Sequence, residues 1–158
     1  IAVMPSGDIV VGGEFTNVGG SFLDHVARYA NGQWFALGTG CSDIVRALTV
    51  LPNGDLVAGG DFTTAGGIAA ARIARWNGTT WSAMGTGMNA TVRALAVQGT
   101  TLFAGGDFSV AGGSASHGIA SWNGTTWLSI LGNLVNTTHV HAIATSASCF
   151  NTTRCSAT

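Results

Sequence analysis

An all-β chain built from repeated four-stranded antiparallel sheets is what this 158-residue sequence predicts, and three observations carry the prediction. The first is a recurring landmark: "VGGEF" at 11–15, "AGGDF" at 58–62 and "AGGDF" at 104–108, spaced by 47 and 46 residues. The second is a paired-aromatic hairpin, written "ARYANGQWFALG" at 27–38, "ARWNGTTWSAMG" at 74–85 and "ASWNGTTWLSIL" at 120–131. The third is composition, 46% hydrophobic against 8% charged with 24 glycines. A chain with so little charge is expected to bury both faces of most of its sheets, and self-similarity at such a period marks an array of supersecondary units.

Within a unit the elements follow in a fixed order. The first strand is "VRALTV" (45–50), "VRALAV" (92–97) and, decayed, "VHAIAT" (140–145). "DLVAGGDF" (55–62) supplies a second, "RIARW" (72–76) a third and "TWSAM" (80–84) a fourth, separated by the turn residues "PNGD" and "NGTT". The second glycine pairs, Gly19-Gly20, Gly66-Gly67 and Gly112-Gly113, suit tight turns, and neither set of glycines has the lysine and following helix of a phosphate loop. Asn77-Gly78 signals a two-residue type I′ hairpin pairing Trp76 with Thr79, and strand alternation then places Trp76, Trp81 and Ala83 on one face. Trp122 and Trp127 repeat the pattern. In the first unit Trp34 persists, while Tyr29 stands one residue nearer the turn, which predicts a different hairpin. Trp34, Trp76, Trp81, Trp122 and Trp127 are expected to pack between units, each burying about 150–250 Å².

Four short antiparallel strands in such a repeat match a blade of a β-propeller. The predicted units are blade 1 at 1–43 with a truncated first strand, blade 2 at 44–90, blade 3 at 91–137, and at 138–158 the start of a fourth unit followed by a cysteine-containing tail. Propellers close with about four to eight blades, so the expectation is an incomplete ring or open array. Ile1 aligns with Leu48, leaving the first strand without its opening residues, while "THVHA" (138–142) supplies their match. The expected partners are other copies of the chain or further blades of a longer one, and the absence of an initiator Met predicts a processed product or a piece.

The stretches "VRALAV", "LPNGDLVAGGDFTTAGG" and "IARWNGTTWSAMGTGMN" resemble the propeller repeats of large bacterial secreted and cell-surface proteins, loosely kelch-like, over residues 1–145. The resemblance implies non-catalytic scaffolding or adhesion, with no fixed set of catalytic residues.

Other classes are excluded by what the sequence lacks. A net charge of −1 offers no basic stripe for nucleic acid, and no apolar run reaches the about 18 residues of a membrane-spanning helix. Glu14, Asp61 and Asp107 share one place in the repeat and read as hydrogen-bonding loop groups rather than a calcium site, which draws several ligands from one loop. Asp8 and Asp55 read as turn residues. Arg46, Arg93 and His141 align, and pairing with the repeated acids is expected because unpaired charge is costly to bury. His139 and His141 share one strand face, but two imidazoles do not make a metal site, and His25 and His117 are not equivalent in the repeat. No metal, other cofactor or catalytic constellation is expected. Cys149 and Cys155 flank a short loop suited to a disulfide in an oxidising compartment, whereas Cys41 reads as a buried hydrophobe or as a thiol for a bond between chains.

Five N-x-S/T sequons, at Asn77, Asn89, Asn123, Asn136 and Asn151, suggest N-glycosylation. The functional expectation is therefore a non-enzymatic extracellular or cell-surface module, structural or adhesive. The alternative is a carbohydrate-binding propeller whose inter-blade clefts hold glycans.

Overall fold

The computed structural model describes residues 1–130 and 139–145. Among them the strands are β1 Ala2–Val3, β2 Ile9–Gly12, β3 Asn17–Val18, β4 Ser21–Phe22, β5 Val26–Ala30 and β6 Gln33–Ala36, followed by β7 Val45–Val50, β8 Leu56–Gly60, β9 Thr64–Ala65, β10 Ile68–Ala69, β11 Ile73–Trp76 and β12 Trp81–Ala83. The third repeat gives β13 Val92–Gln98, β14 Thr101–Gly106, β15 Val110–Ala111, β16 Ser114–Ala115, β17 Ile119–Trp122 and β18 Trp127–Ser129. Three four-stranded antiparallel sheets result, ordered β1-β2-β5-β6, β7-β8-β11-β12 and β13-β14-β17-β18. The predicted all-β propeller blades are present, and they do not close into a ring.

Each sheet winds outward from its first strand. β7 touches β13, whereas the fourth strands are not neighbours, so the blades fan from an axis at their first strands. β1 has only two residues where β7 has six. One core cluster fills the seam between blades 1 and 2, joining Val10, Val26 and Leu37 to Leu56, Ala74, Trp76 and Trp81. A second fills the next seam with the equivalent Val57, Ile73 and Met84 against Leu102, Ala120 and Trp127.

The glycine pairs have two different jobs. A β-carbon added at Gly59 would lie 2.5 Å from Val92 Cγ1, so this glycine lets the first strand of the next blade press onto the sheet, and one at Gly60 would overlap the Ile44 carbonyl, where the chain enters the first strand of the same blade. The second pair, Gly66 and Gly67, has φ of 58° and 80° and closes the two-residue turn between β9 and β10. That left-handed geometry suits glycine and strains a β-carbon.

The Trp hairpins depart from the predicted register. Trp76 pairs directly with Trp81, and Asn77–Thr80 form a four-residue loop instead of a two-residue turn at Asn77-Gly78. The Asn77 Oδ1 closes this loop by accepting the backbone N–H of Thr79 at 3.0 Å and of Thr80 at 2.9 Å. In blade 1 the Asn-Gly dipeptide sits one residue later, so Tyr29 is one residue farther from it and not nearer, and Tyr29 pairs with Trp34 as Trp76 does with Trp81. There Ala30 pairs with Gln33, and Asn31 and Gly32 take φ of 50° and 79°, the two-residue turn with positive φ at both positions. The shared-face assignment survives the register change, since Trp76 and Trp81 stand opposite each other at 5.4 Å between ring centroids.

Replacing Gly59 by Ala should destabilise the chain by about 1–3 kcal/mol through overpacking against Val92. At Gly67, whose added β-carbon meets nothing within 4 Å, the same change should cost about 1 kcal/mol through backbone strain alone. Urea denaturation of both variants checks the order.

Candidate functional site

The repeated side chains converge on the seams between blades. At the first seam the chain leaves β6 through Leu37–Gly40 and enters blade 2 at β7. The Leu37 carbonyl accepts the Gly40 N–H at 3.2 Å and the indole Nε1–H of Trp81 at 2.7 Å. The second seam repeats this one unit on: Met84 O accepts from Gly87 N at 3.3 Å and from Trp127 Nε1 at 2.9 Å. Trp81 and Trp127 are 6% and 5% exposed, and each ring leans on the glycine turn of its own blade, Gly66 or Gly112. Trp76 and Trp122 back them, the latter pair 5.2 Å apart. Four of the five predicted inter-blade tryptophans therefore lie in seams. Trp34 does not: it lies half-buried on the face of blade 1 away from the first seam, its ring tilted against Tyr29 at 5.0 Å between centroids.

The linker is also fastened to the next blade. Gly66 N donates to Gly40 O and Gly112 N to Gly87 O, both at 2.8 Å. Asn89, singled out above as a sequon, is structural here. Its Oδ1 accepts the backbone N–H of Ser109 at 3.0 Å and of Val110 at 2.9 Å, while its Nδ2 donates to Ser109 Oγ at 2.9 Å. Ser42 holds the equivalent place in the first seam, its Oγ accepting Thr63 N and Thr64 N at 3.1 Å each.

Nearer the axis, the repeated acids form an ionic clamp. Arg46 Nε and Nη2 reach Asp61 Oδ2 at 2.8 and 2.5 Å, and Arg93 Nε reaches both Asp107 oxygens at 2.8 Å. The predicted arginine–acid pairing is present, though the acids hold side chains rather than loop backbone. A second contact crosses the seam: Thr91 Oγ1 donates to Asp61 Oδ1 at 2.7 Å, and His139 Nδ1 lies 2.7 Å from Asp107 Oδ1. Thr91 and His139 occupy one place in the repeat. His141, aligned with the arginines, does not pair with Asp107, because the arginine position serves the acid of its own blade. Its ring centroid lies 6.0 Å from that of His139. At the first seam Ile44 replaces the hydroxyl, and Glu14 stays exposed without an ion pair among the described residues. The Arg93 hydrogen bonds hold the Asp107 carboxyl at about 2, and those from Arg46 lower Asp61 in the same direction.

Two further pairs on the sheet faces were not foreseen. Asp8 and Asp55, read as turn residues, do use turn chemistry, Asp55 N donating to Asn53 Oδ1 at 3.1 Å. They also pair across strands with Arg28 at 3.4 Å and Arg75 at 3.6 Å. Cys41 is buried, as its reading as a small hydrophobe expects, and that burial pushes its thiol up to about 12. Cys149, Cys155, Asn136 and Asn151 lie outside the described residues. Among the described residues no three metal-ligating side chains gather in one place, and no helix is long and apolar enough to cross a membrane.

Blades fanned from a common axis, with seams of tryptophan, glycine and paired charge, define a β-propeller protein. A family model, the Rax2 C-terminal beta propeller domain, matches residues 1–153, and the chain belongs to that family. The propeller expectation stands, while nothing in the match ties these repeats to bacterial surface proteins. No curated protein matches the chain.

Two outcomes follow from the seam. Trp81→Phe keeps the ring and removes the donor. Since Leu37 O retains the Gly40 N–H, the loss should be about 0.5–1.5 kcal/mol in thermal or urea unfolding. Asp107, held below the ordinary carboxylate value of about 3.9, contributes stability that is full above that value and is lost as pH falls towards about 2. Unfolding midpoints between pH 5 and pH 2 should fall less steeply in Asp107→Asn than in the native chain.

Proposed function

We propose that the chain is a non-catalytic extracellular module, N-glycosylated, whose role is structural or adhesive within a cell-surface or fibrous assembly. One observation carries the reading: the side chains that recur with the repeat hold blades together. Trp81 and Trp127 anchor to main-chain carbonyls, Arg46 and Arg93 engage Asp61 and Asp107, and Asn89 fastens a linker. Each has its partners inside the protein, which favours a scaffold over a reaction centre.

The sequons at the hairpin tips support the glycosylated surface. Asn77 Oδ1 accepts from the sequon hydroxyl of Thr79 at 2.9 Å and Asn123 Oδ1 from Thr125 at 3.0 Å, on exposed loops where Nδ2, the atom that carries an N-glycan, has no protein partner among the described residues. Asn89 is the opposite case, with Nδ2 donated to Ser109. Peptide mapping of material from its native source should find sugar on Asn77 and Asn123 and none on Asn89. Peptides recovered with both Asn77 and Asn123 bare would contradict the reading.

A carbohydrate-binding role has one observation in its favour, a cleft of about 300 Å³ between blades 1 and 2 lined by Met4, Asp8, Arg28 and Trp76 among others. The packed Trp76 offers little stacking surface, so the polar pair would carry recognition. Glycan-array binding abolished by Arg28→Ala in a folded chain would select this reading over the first.

A further inference from the structure

We infer that Asn31 is a site of self-modification: its side chain and the Gly32 backbone react to a succinimide, which water opens to an aspartyl or isoaspartyl residue. The sequence offers four Asn-Gly dipeptides, beginning at Asn31, Asn53, Asn77 and Asn123. Each has the glycine that this reaction favours, because a residue without a β-carbon leaves its N–H open. In the first step the Gly32 nitrogen bonds to Asn31 Cγ, and the side-chain nitrogen leaves with the displaced proton as ammonia. Water then adds to either carbonyl of the five-membered ring and returns an acid.

The structure separates the four dipeptides by what holds them. At Asn53 both reacting groups are fastened: Gly54 N donates to Leu51 O at 2.8 Å, while Asn53 Oδ1 accepts from Asp55 N at 3.1 Å and Nδ2 donates to Asp55 Oδ2 at 2.9 Å. At Asn77 the amide oxygen accepts from Thr79 N at 3.0 Å, Thr80 N at 2.9 Å and Thr79 Oγ1 at 2.9 Å, and Asn123 repeats this with Thr125 and Thr126. Ring closure there first has to release these bonds. Among the described residues the Asn31 side chain and Gly32 N have no hydrogen bond, and both residues are exposed in the two-residue turn between β5 and β6. The cause is register. A four-residue loop leaves the N–H groups of Thr79 and Thr80 to the asparagine that opens it, whereas in the shorter turn Gln33 is already back in the ladder, paired with Ala30. The equivalent tip of blade 2, residues 77–80, is exposed with a blade on either side, so hairpin tips stand clear of the seams.

An isoaspartyl residue routes the chain through the former side chain and lengthens the turn by one carbon. The turn sets the register of a hairpin, and β6 is an edge strand bonded to β5 alone. The pairs Ala30–Gln33 and Tyr29–Trp34 take up the shift, directly upstream of Leu37, whose carbonyl anchors Trp81. Conversion at Asn31 therefore loosens the first seam.

Peptide mapping of the folded chain, made without glycosylation and aged in mildly alkaline buffer, tests the inference against the same chain aged in guanidinium chloride. Unfolded, the four dipeptides should convert at similar rates. Folded, Asn31 should convert about tenfold faster than Asn53, Asn77 and Asn123, where hydrogen bonds of ordinary strength must open first. Labelling by an isoaspartyl methyltransferase should mark the Asn31 peptide. Folded rates that are equal at the four sites, or slower at Asn31 than at any other, would overturn the assignment. The isoaspartyl fraction should also unfold at lower urea than Asn31→Asp, which gains the charge without the extra carbon. Equal midpoints would refute the effect on the first seam.

Discussion

The hydrogen bond from an indole N–H to the carbonyl that ends the preceding blade is the contact on which the rest of this structure turns. Where a linker leaves its blade, at Leu37 and Met84, it has left the strand ladder, so its carbonyl needs donors when the apolar seam closes over it. Trp81 meets that need at Leu37 O, and its ring fills the space beside Gly66. Bulk and donor come from one side chain, which is why a phenylalanine or leucine in its place would fill the seam without fixing the angle between blades. With that angle fixed, Gly59 admits the next first strand, and the arginine–acid clamp with Thr91 or His139 fastens the seam at its axial end.

The repeated polar groups are accordingly organised along seams, and on the sheet faces the charged strand residues Arg28 and Arg75 are paired with Asp8 and Asp55. The low charge of the sequence follows from this layout. Ion pairs such as Arg46–Asp61 are partly open to solvent, where pairs contribute about 0.2–1 kcal/mol each. Their value is in orientation: the arginine of its own blade aims the acid at the donor of the next one, so misregistered blades lose the cross-seam contact.

Much of the fold was legible because the repeat writes it three times. The Trp positions, the glycine pairs and the aligned Arg46 and Arg93 each carry a residue type that sterics or charge restricts. The hairpin register was not legible at Asn77-Gly78, because the dipeptide serves a two-residue turn at Asn31-Gly32 and a four-residue loop one position earlier in the hairpin. The seam carbonyls left no mark at all, since any residue can supply a main-chain oxygen. Thr91 and His139 perform one task with different side chains, so only their spacing links them. At Asn89 the sequon pattern concealed a structural clamp whose equivalent, Ser42, bears no resemblance to a glycosylation site.

Exchange of the indole protons gives the most direct test of the seam contact, because each tryptophan reports separately by NMR. Trp76 and Trp122 lie in the same seams as Trp81 and Trp127 without an indole hydrogen bond to a carbonyl among the described residues. The indole N–H of Trp81 and Trp127 should exchange with solvent much more slowly than those of Trp76 and Trp122. Equal exchange across all four would mean that burial alone orders the seam, contradicting the anchoring role of the Leu37 and Met84 carbonyls.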